Sequence, residues 1–182
     1  MNALLLTALL AALALPGVAA AQADPASPVA DALRSAEQRA QRNLVASAQE
    51  MPADKYSYKP TSKQMSFGQL VLHIAGSNAY MCSTITGQTA PAHAKLAPTA
   101  GKDKLVAQLK ASFDYCHSAL ATVDDSQLAE SVPFFGGRKI TRAGAMMGLA
   151  EDWSDHYAAA AIYLRLNGHL PPTAQHRGKA EM

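Results

Sequence analysis

Apolar residues recur every three or four positions between Thr141 and Gly168, a spacing that predicts one long amphipathic helix. Thr141 suits the N-cap position, and Asn167-Gly168 followed by Pro171-Pro172 ends the helix. Asp152 and His156 lie four residues apart on a face that the pattern points inward. Because burying a lone carboxylate is costly, we expect another group to compensate this pair.

Two interpretations of this pair are open. In the first, Asp152 and His156 form a buried ion pair and satisfy each other. In the second, the carboxylate oxygen and the imidazole nitrogen bind one divalent metal ion, since ligands one helical turn apart reach a common point. A third inward ligand on another helix would favour the second interpretation.

The same periodicity predicts three earlier helices, at about 28–49, 67–86 and 102–122. Ser27-Pro28 opens the first as N-cap and first helical residue, and Ser66 forms a capping box with Gln69 before the second. The connection 87–101 could cross the length of a bundle, so the second and third helices could run parallel. These elements predict an all-α four-helix bundle.

The second helix carries the polar positions of interest. His73, Ser77 and Tyr80 lie beside its apolar stripe, which places His73 at the inner edge of the helix. A lone histidine there is more often a hydrogen-bonded core residue than a metal ligand. With Asp152 and His156 also predicted to face inward, three metal-type ligands converge from two helices.

Residues 1–21 have the pattern of a secretory signal peptide, with an apolar run at 4–15 and small residues at 18–21. The alternative, an uncleaved anchor, is disfavoured because the run is too short to span a bilayer. We therefore expect a linker at 22–27, the bundle at 28–172 and a flexible tail at 173–182. The mature protein is expected to be periplasmic or secreted, without stable membrane insertion after cleavage.

The composition and charge of the chain limit the classes of binding partner that we expect. The chain of 182 residues is 49% hydrophobic and 16% charged, as expected for one globular domain. A formal net charge of +2, without a run of Lys or Arg, argues against nucleic acid as a partner. Small molecules therefore remain the expected partners, and a homodimer is left open.

The two cysteines lie at similar heights if the second and third helices run parallel. Cys82 and Cys116 would then face each other, and export makes their oxidation possible. The alternative is two buried free thiols that act as small apolar residues. We favour the disulfide.

Several of these segments resemble a known family, the DinB-like (YfiT-like) metalloenzymes. They are Tyr56-Ser57-Tyr58-Lys59-Pro60 ahead of the 66–75 segment, Phe135-Gly136-Gly137, and the stretch from Asp152 to Pro172. The resemblance implies an up-down-down-up bundle that binds a divalent ion, commonly zinc or nickel. Family members place one histidine in the second helix and two, four apart, in the fourth.

The resemblance implies that His73, Asp152 and His156 are the metal ligands, with Asp152 where the family usually has histidine. Two histidines and one carboxylate still form an acceptable catalytic set. Some members resemble thiol-dependent S-transferases, so we expect a metal-dependent hydrolase or transferase whose substrate the sequence does not identify. A non-catalytic metal- or ligand-binding bundle and a metal-free structural bundle are the alternatives.

The catalytic groups are less well defined than the ligands. Ser77 and Tyr80, one and two turns after His73, are weak candidates to hydrogen-bond a water or substrate, and either could simply pack. Because metal binding needs neutral imidazoles, metal occupancy should decrease as the pH drops below the unperturbed histidine pKa of about 6.5. The remaining histidines are expected to be ordinary surface residues; they are His93, His117, His169 and His176.

Overall fold

The computed structural model describes residues 27–175. Its helices are α1 (Pro28–Glu50), α2 (Phe67–Thr86), α3 (Lys102–Leu120), α4 (Arg142–Leu166) and the short α5 (Pro172–Gln175). Two strands, β1 (Ser131–Pro133) and β2 (Lys139–Thr141), lie between α3 and α4. The predicted signal peptide, most of the predicted linker and His176 fall outside the described residues.

Contacts between helices fix their directions. Helices α2 and α3 are parallel, because their contacts advance in the same direction along both helices. Asn78 Nδ2 donates to Ser112 Oγ, and four residues later on each helix Cys82 contacts Cys116. The order is opposite between α1 and α3, because Arg34 contacts the carbonyl of Leu120 whereas Gln41 contacts Asp114. Hence α1 points up while α2 and α3 point down.

The fourth helix completes the pattern. Tyr163 near its end contacts Met65, and Trp153 near its middle contacts Asn78, so α4 is antiparallel to α2 and points up. Each long helix packs against two neighbours, with α1 and α2 on one diagonal and α3 and α4 on the other. The observed architecture is an up-down-down-up four-helix bundle.

The all-α prediction is incomplete, because β1 and β2 form an antiparallel pair in the register Ser131↔Thr141, Val132↔Ile140 and Pro133↔Lys139. Gly136 and Gly137 adopt φ of 68° and 74°, values that allow the chain to reverse between the strands. The predicted tail also differs, since residues 173–175 belong to α5 and Thr173 contacts Tyr157. Both elements are too short to leave a periodic signal in the sequence.

Capping explains where the helices begin. The predicted capping box of α2 is present, with Gln69 N donating to Ser66 Oγ and Ser66 N donating to Gln69 Oε1. The predicted Ser27 cap is not, because its side chain accepts no hydrogen bond from α1. Instead, Val29 N and Ala30 N donate to the carboxylate of Asp125, which follows α3. The negative charge of this carboxylate also interacts favourably with the positive N-terminal end of the α1 dipole.

The core lies along the bundle axis and draws large side chains from all four long helices. Those with almost no exposed surface include Leu44, Phe67, Ile74, Leu105, Phe113, Leu149 and Trp153. Each such side chain stabilises the fold by roughly 1.5–3 kcal/mol through burial. Between residues 27 and 175, no helix is both long enough and apolar enough to cross a bilayer.

A disulfide joins α2 to α3. Cys82 and Cys116 are both fully buried, and their Cα atoms are 5.4 Å apart. The parallel packing of the two helices brings these residues to one height. The structure therefore contains the Cys82–Cys116 pair that the sequence favours.

Candidate metal centre

Two hydrogen bonds hold α2 and α4 in register around the predicted ligands. Trp153 Nε1 donates to Asn78 Oδ1 over 2.7 Å, and the Tyr163 hydroxyl donates to the carbonyl of Met65 over 2.7 Å. His73 of α2 lies between Asn78 and Met65, which precedes the helix by two residues, and His156 lies between Trp153 and Tyr163 on α4. This register brings the two histidines next to each other.

The two imidazole rings pack against each other. Their centroids are 4.9 Å apart, and the ring planes are inclined by 54°. His156 Nδ1 lies 2.6 Å from the backbone carbonyl oxygen of Asp152 and 3.2 Å from Asp152 Oδ2. The carbonyl is the hydrogen-bond partner, and both contacts direct Nδ1 toward Asp152. The other ring nitrogen, Nε2, is left for a different partner.

The predicted ligands lie nearer the surface than the sequence indicates. His73 is exposed, and the side chains of Asp152 and His156 are 26% and 15% exposed. The fully buried stripe of α4 instead runs through Met146, Leu149, Trp153 and Leu164. The prediction of an inner edge for His73 and of inward-facing side chains for Asp152 and His156 is therefore wrong. All three side chains are less buried than predicted. They lie where α2 and α4 meet at the surface, along the groove that two packed helices leave between them.

The charge of Asp152 alters the titration of its neighbour. The pKa of His156 is raised above its ordinary value, chiefly because its side chain interacts with the Asp152 carboxylate. Partial burial acts in the opposite direction and is outweighed. A protonated His156 forms an ion pair with Asp152, so the structural interpretation of this pair has a physical basis.

Asp152 also has unused binding capacity. Its Oδ2 atom is buried and lies at ion-pair distance, 3.2 Å, from His156 Nδ1 without a well-aligned hydrogen bond, so this carboxylate oxygen can still accept a hydrogen bond or bind a cation. This carboxylate oxygen and the imidazoles of His73 and His156 fit the donor types of a zinc or nickel site. Within residues 27–175, however, no three His, Cys, Asp or Glu side chains are arranged as a metal-binding group. The donor types fit, whereas the three-ligand arrangement is not formed.

The weak catalytic candidates occupy different surroundings. Ser77 is half-buried one turn beyond His73. Tyr80 is 36% exposed and stacks on Phe135, with ring centroids 4.3 Å apart. This stacking gives Tyr80 the packing role that the sequence left open as its alternative.

Two histidines predicted to be ordinary surface residues have carboxylate neighbours. His117 Nδ1 lies 3.3 Å from Glu37 Oε2, and His169 Nδ1 lies 3.3 Å from Glu50 Oε1. Glu37 is only 1% exposed, and its Oε1 has no hydrogen-bond partner. Burial raises the pKa of Glu37, while its contact with His117 opposes that shift. The sequence did contain a signal for Glu37, since it lies four residues after the buried Leu33.

The sequence also gave no role to Asn78. Its side chain accepts from Trp153 and donates to Ser112 Oγ, so it joins three helices beside the candidate centre. Asn78 is fully buried. Its position four residues after Ile74, on an apolar face, was the available signal.

Comparisons with known proteins agree with this architecture. The profile of the DinB superfamily matches residues 37–160. The crystal structure of a DinB-like protein, YjoA, from Bacillus subtilis is similar, with a TM-score of 0.63 and 23% identity over 76% of this chain and 92% of that one. No curated protein sequence matches at a significant level.

A conserved protein from Enterococcus faecalis is also similar in structure. Its TM-score is 0.61, with 17% identity over 74% of this chain and 94% of that one. At these identities the two structures support the fold alone. Because the superfamily profile spans most of the bundle, from within α1 to within α4, the chain belongs to the DinB superfamily.

Proposed function

We propose that this protein binds one divalent metal ion, zinc or nickel, beside the groove between α2 and α4, and acts outside the cytoplasm as a metal-dependent hydrolase or transferase. His73, Asp152 and His156 would hold the ion. The observation that carries this proposal is the buried Oδ2 of Asp152, which accepts no well-aligned hydrogen bond and lies 3.2 Å from Nδ1 of His156, whose ring packs against that of His73. A cation is the partner that a carboxylate oxygen in such surroundings accepts.

The residues of this chain would have distinct roles. The contact of His156 Nδ1 with Asp152 leaves Nε2 as the nitrogen for coordination, an arrangement common in metal-binding histidines. His73 is exposed and can adjust its rotamer. Ser77, one turn farther along α2, would position a small-molecule substrate. A bound divalent ion supplies Lewis acidity to such a site.

The contact between Asp152 and His156 also favours a second candidate, a metal-free structural pair. His156 Nδ1 lies within 3.2 Å of Asp152 Oδ2, and the raised pKa of His156 favours the charged pair. The alternative of a non-catalytic binding bundle lies between the metalloenzyme and the metal-free pair, because it requires a bound ion but no catalytic residue.

The disulfide supports the export part of the proposal. Disulfides form and persist in oxidising compartments and are rare in the cytosol. The Cys82–Cys116 bond lies on the side of α2 that faces α3, away from the candidate metal centre. It therefore supports the compartment independently of the metal.

Thermal unfolding with and without added zinc tests metal binding. A ligand at about a hundred times its Kd stabilises the native state by roughly 2.7 kcal/mol, which raises the Tm of a chain of this size by roughly 5 to 10 °C. We expect this rise in the wild type and in His169→Ala, a control that leaves the groove intact. It should be lost in Asp152→Ala and His156→Ala. A wild type without a zinc-dependent rise favours the metal-free pair.

A further inference from the structure

A second site lies on the opposite side of α2. A cavity of about 130 Å³ is enclosed by α2, α3 and the connection that joins them. Ala75 and Ala79 of α2 and Ala111 of α3 form helical walls, and the connection contributes its Pro91–His93 segment. The volume exists because the facing helix positions carry methyl groups where larger side chains would fill the space.

This cavity is separate from the candidate metal centre. Ala75 is two residues from His73, which turns it about 200° around the helix axis, and Ala79 lies one turn further along the same face. His73 borders α4 whereas Ala75 and Ala79 border α3. Occupation of one site therefore does not require the other.

One polar group in the cavity wall lacks a partner. Gln108 Oε1 is buried and accepts no hydrogen bond in the part of the chain that the structure describes. The neighbouring hydroxyls already donate elsewhere, Ser112 Oγ to the carbonyl of Leu109 and Tyr115 to the carbonyl of Gln88. An unpartnered buried acceptor is unfavourable, so a ligand that donates one hydrogen bond would relieve it.

The connection is fastened over the cavity at its beginning. The Tyr115 hydroxyl donates to the carbonyl of Gln88 over 2.9 Å, and Gln88 Nε2 donates to Thr122 Oγ1 over 3.1 Å. Both bonds tie the start of the connection to the end of α3. The cavity is thus a formed feature of the fold, with an exposed edge at Pro91–His93 through which a small molecule could enter.

We propose that this cavity binds a small, neutral, mostly apolar molecule with one hydrogen-bond donor, of the size and chemistry of phenol. An apolar protein cavity of about 150 Å³ accommodates benzene, so the volume here suits a single six-membered ring. A rotation of the Gln108 side chain would turn its buried Oε1 into the cavity, where it would accept the hydrogen bond of the ligand while the ring contacts the alanine methyls.

Binding of phenol and toluene to the purified chain tests this site, by calorimetry or by ligand-observed NMR. The wild type should bind phenol at least tenfold more tightly than toluene, and Gln108→Met should remove that preference. Ala79→Leu and Ala111→Leu should each weaken both ligands at least tenfold. Ala107→Leu, an exposed alanine on the same helix and outside the cavity wall, is the matched control and should bind as the wild type does.

Three results would overturn the proposal. The wild type could bind neither molecule, the phenol preference could survive Gln108→Met, or both filling variants could bind as the wild type does. Because Ala111 is exposed, its leucine variant cannot overpack the core, so a folding defect of Ala79→Leu leaves the test intact. None of these measurements depends on metal.

Discussion

Trp153 Nε1 donates a hydrogen bond to Asn78 Oδ1 over 2.7 Å in the centre of the bundle. Asn78 also donates to Ser112 Oγ, so one amide side chain joins α2, α3 and α4. Both Asn78 and Trp153 are almost completely buried. This network fixes the α2–α4 register that brings His73 to His156.

Removing the amide should be costly. Asn78→Ala would leave the indole N–H of Trp153 without its acceptor, would remove the hydrogen bond that Ser112 Oγ accepts, and would open a small cavity. We expect a loss of about 2 to 4 kcal/mol in the free energy of unfolding. Urea denaturation measures it, with the half-buried Asn43→Ala as the control. Equal, small losses in the two variants would contradict the role given to Asn78.

The disulfide should contribute to the free energy of unfolding by an amount comparable to that of the Asn78 side chain. Cys82 and Cys116 are 34 residues apart, and closing a loop of that size in the unfolded chain stabilises the native state by about 3 to 4 kcal/mol. We expect the Cys82→Ala/Cys116→Ala double variant to lose about this much, measured by urea denaturation without reductant. Mass spectrometry after alkylation of unreduced protein provides the direct check. Two alkylated cysteines would show that the bond is absent.

Glu37 should make stability depend on pH. Its pKa is raised in the folded state, chiefly by burial, so folding favours the protonated carboxyl. The stability associated with this proton is present below the unfolded-state pKa of about 4.5 and is lost as the pH rises through the folded-state value. Glu37→Gln does not titrate. It should therefore be more stable than the wild type at neutral pH, by about 1 kcal/mol, and lose that advantage near pH 4.

The Tm of both proteins across this pH range checks the prediction, and Glu151→Gln on the exposed face of α4 is the control. A Glu37→Gln advantage that is the same at every pH, or that grows as the pH falls, would contradict the assigned titration.

Export is tested at the N-terminus. The signal-peptide pattern predicts that the mature chain begins near Ala21 or Gln22. N-terminal sequencing of protein recovered from the periplasm or the medium should give that start. Intact Met1, or protein found only in the cytoplasm, would contradict export.

The sequence predicts those parts of the fold that depend on local signals. The boundaries of α2 agree because the Ser66–Gln69 capping box and the left-handed Gly87 both act within one turn of the helix ends. The cap of α1 could not be predicted in this way. It comes from Asp125, about 95 residues away, and only the folded bundle brings them together.

The sequence also could not predict how deeply the candidate site is buried. Two adjacent stripes of α4 are apolar, one through Leu149 and Tyr163 and one through Met146 and Trp153, so periodicity alone cannot decide which points to the axis. Packing against Asn78 and Phe113 places Trp153 at the centre. Asp152 and His156 consequently lie at the groove edge, although their pairing one turn apart is as the spacing predicts.

Metal content is the measurement that tests the central claim most directly. Elemental analysis of the purified mature protein should find close to one zinc or nickel ion per chain. His73→Ala, Asp152→Ala and His156→Ala should each lose most of it while keeping their helical circular dichroism, and His169→Ala should retain it. A folded wild type that contains no stoichiometric divalent metal, and takes up none from added zinc or nickel, would contradict the account and leave Asp152 and His156 as a structural pair.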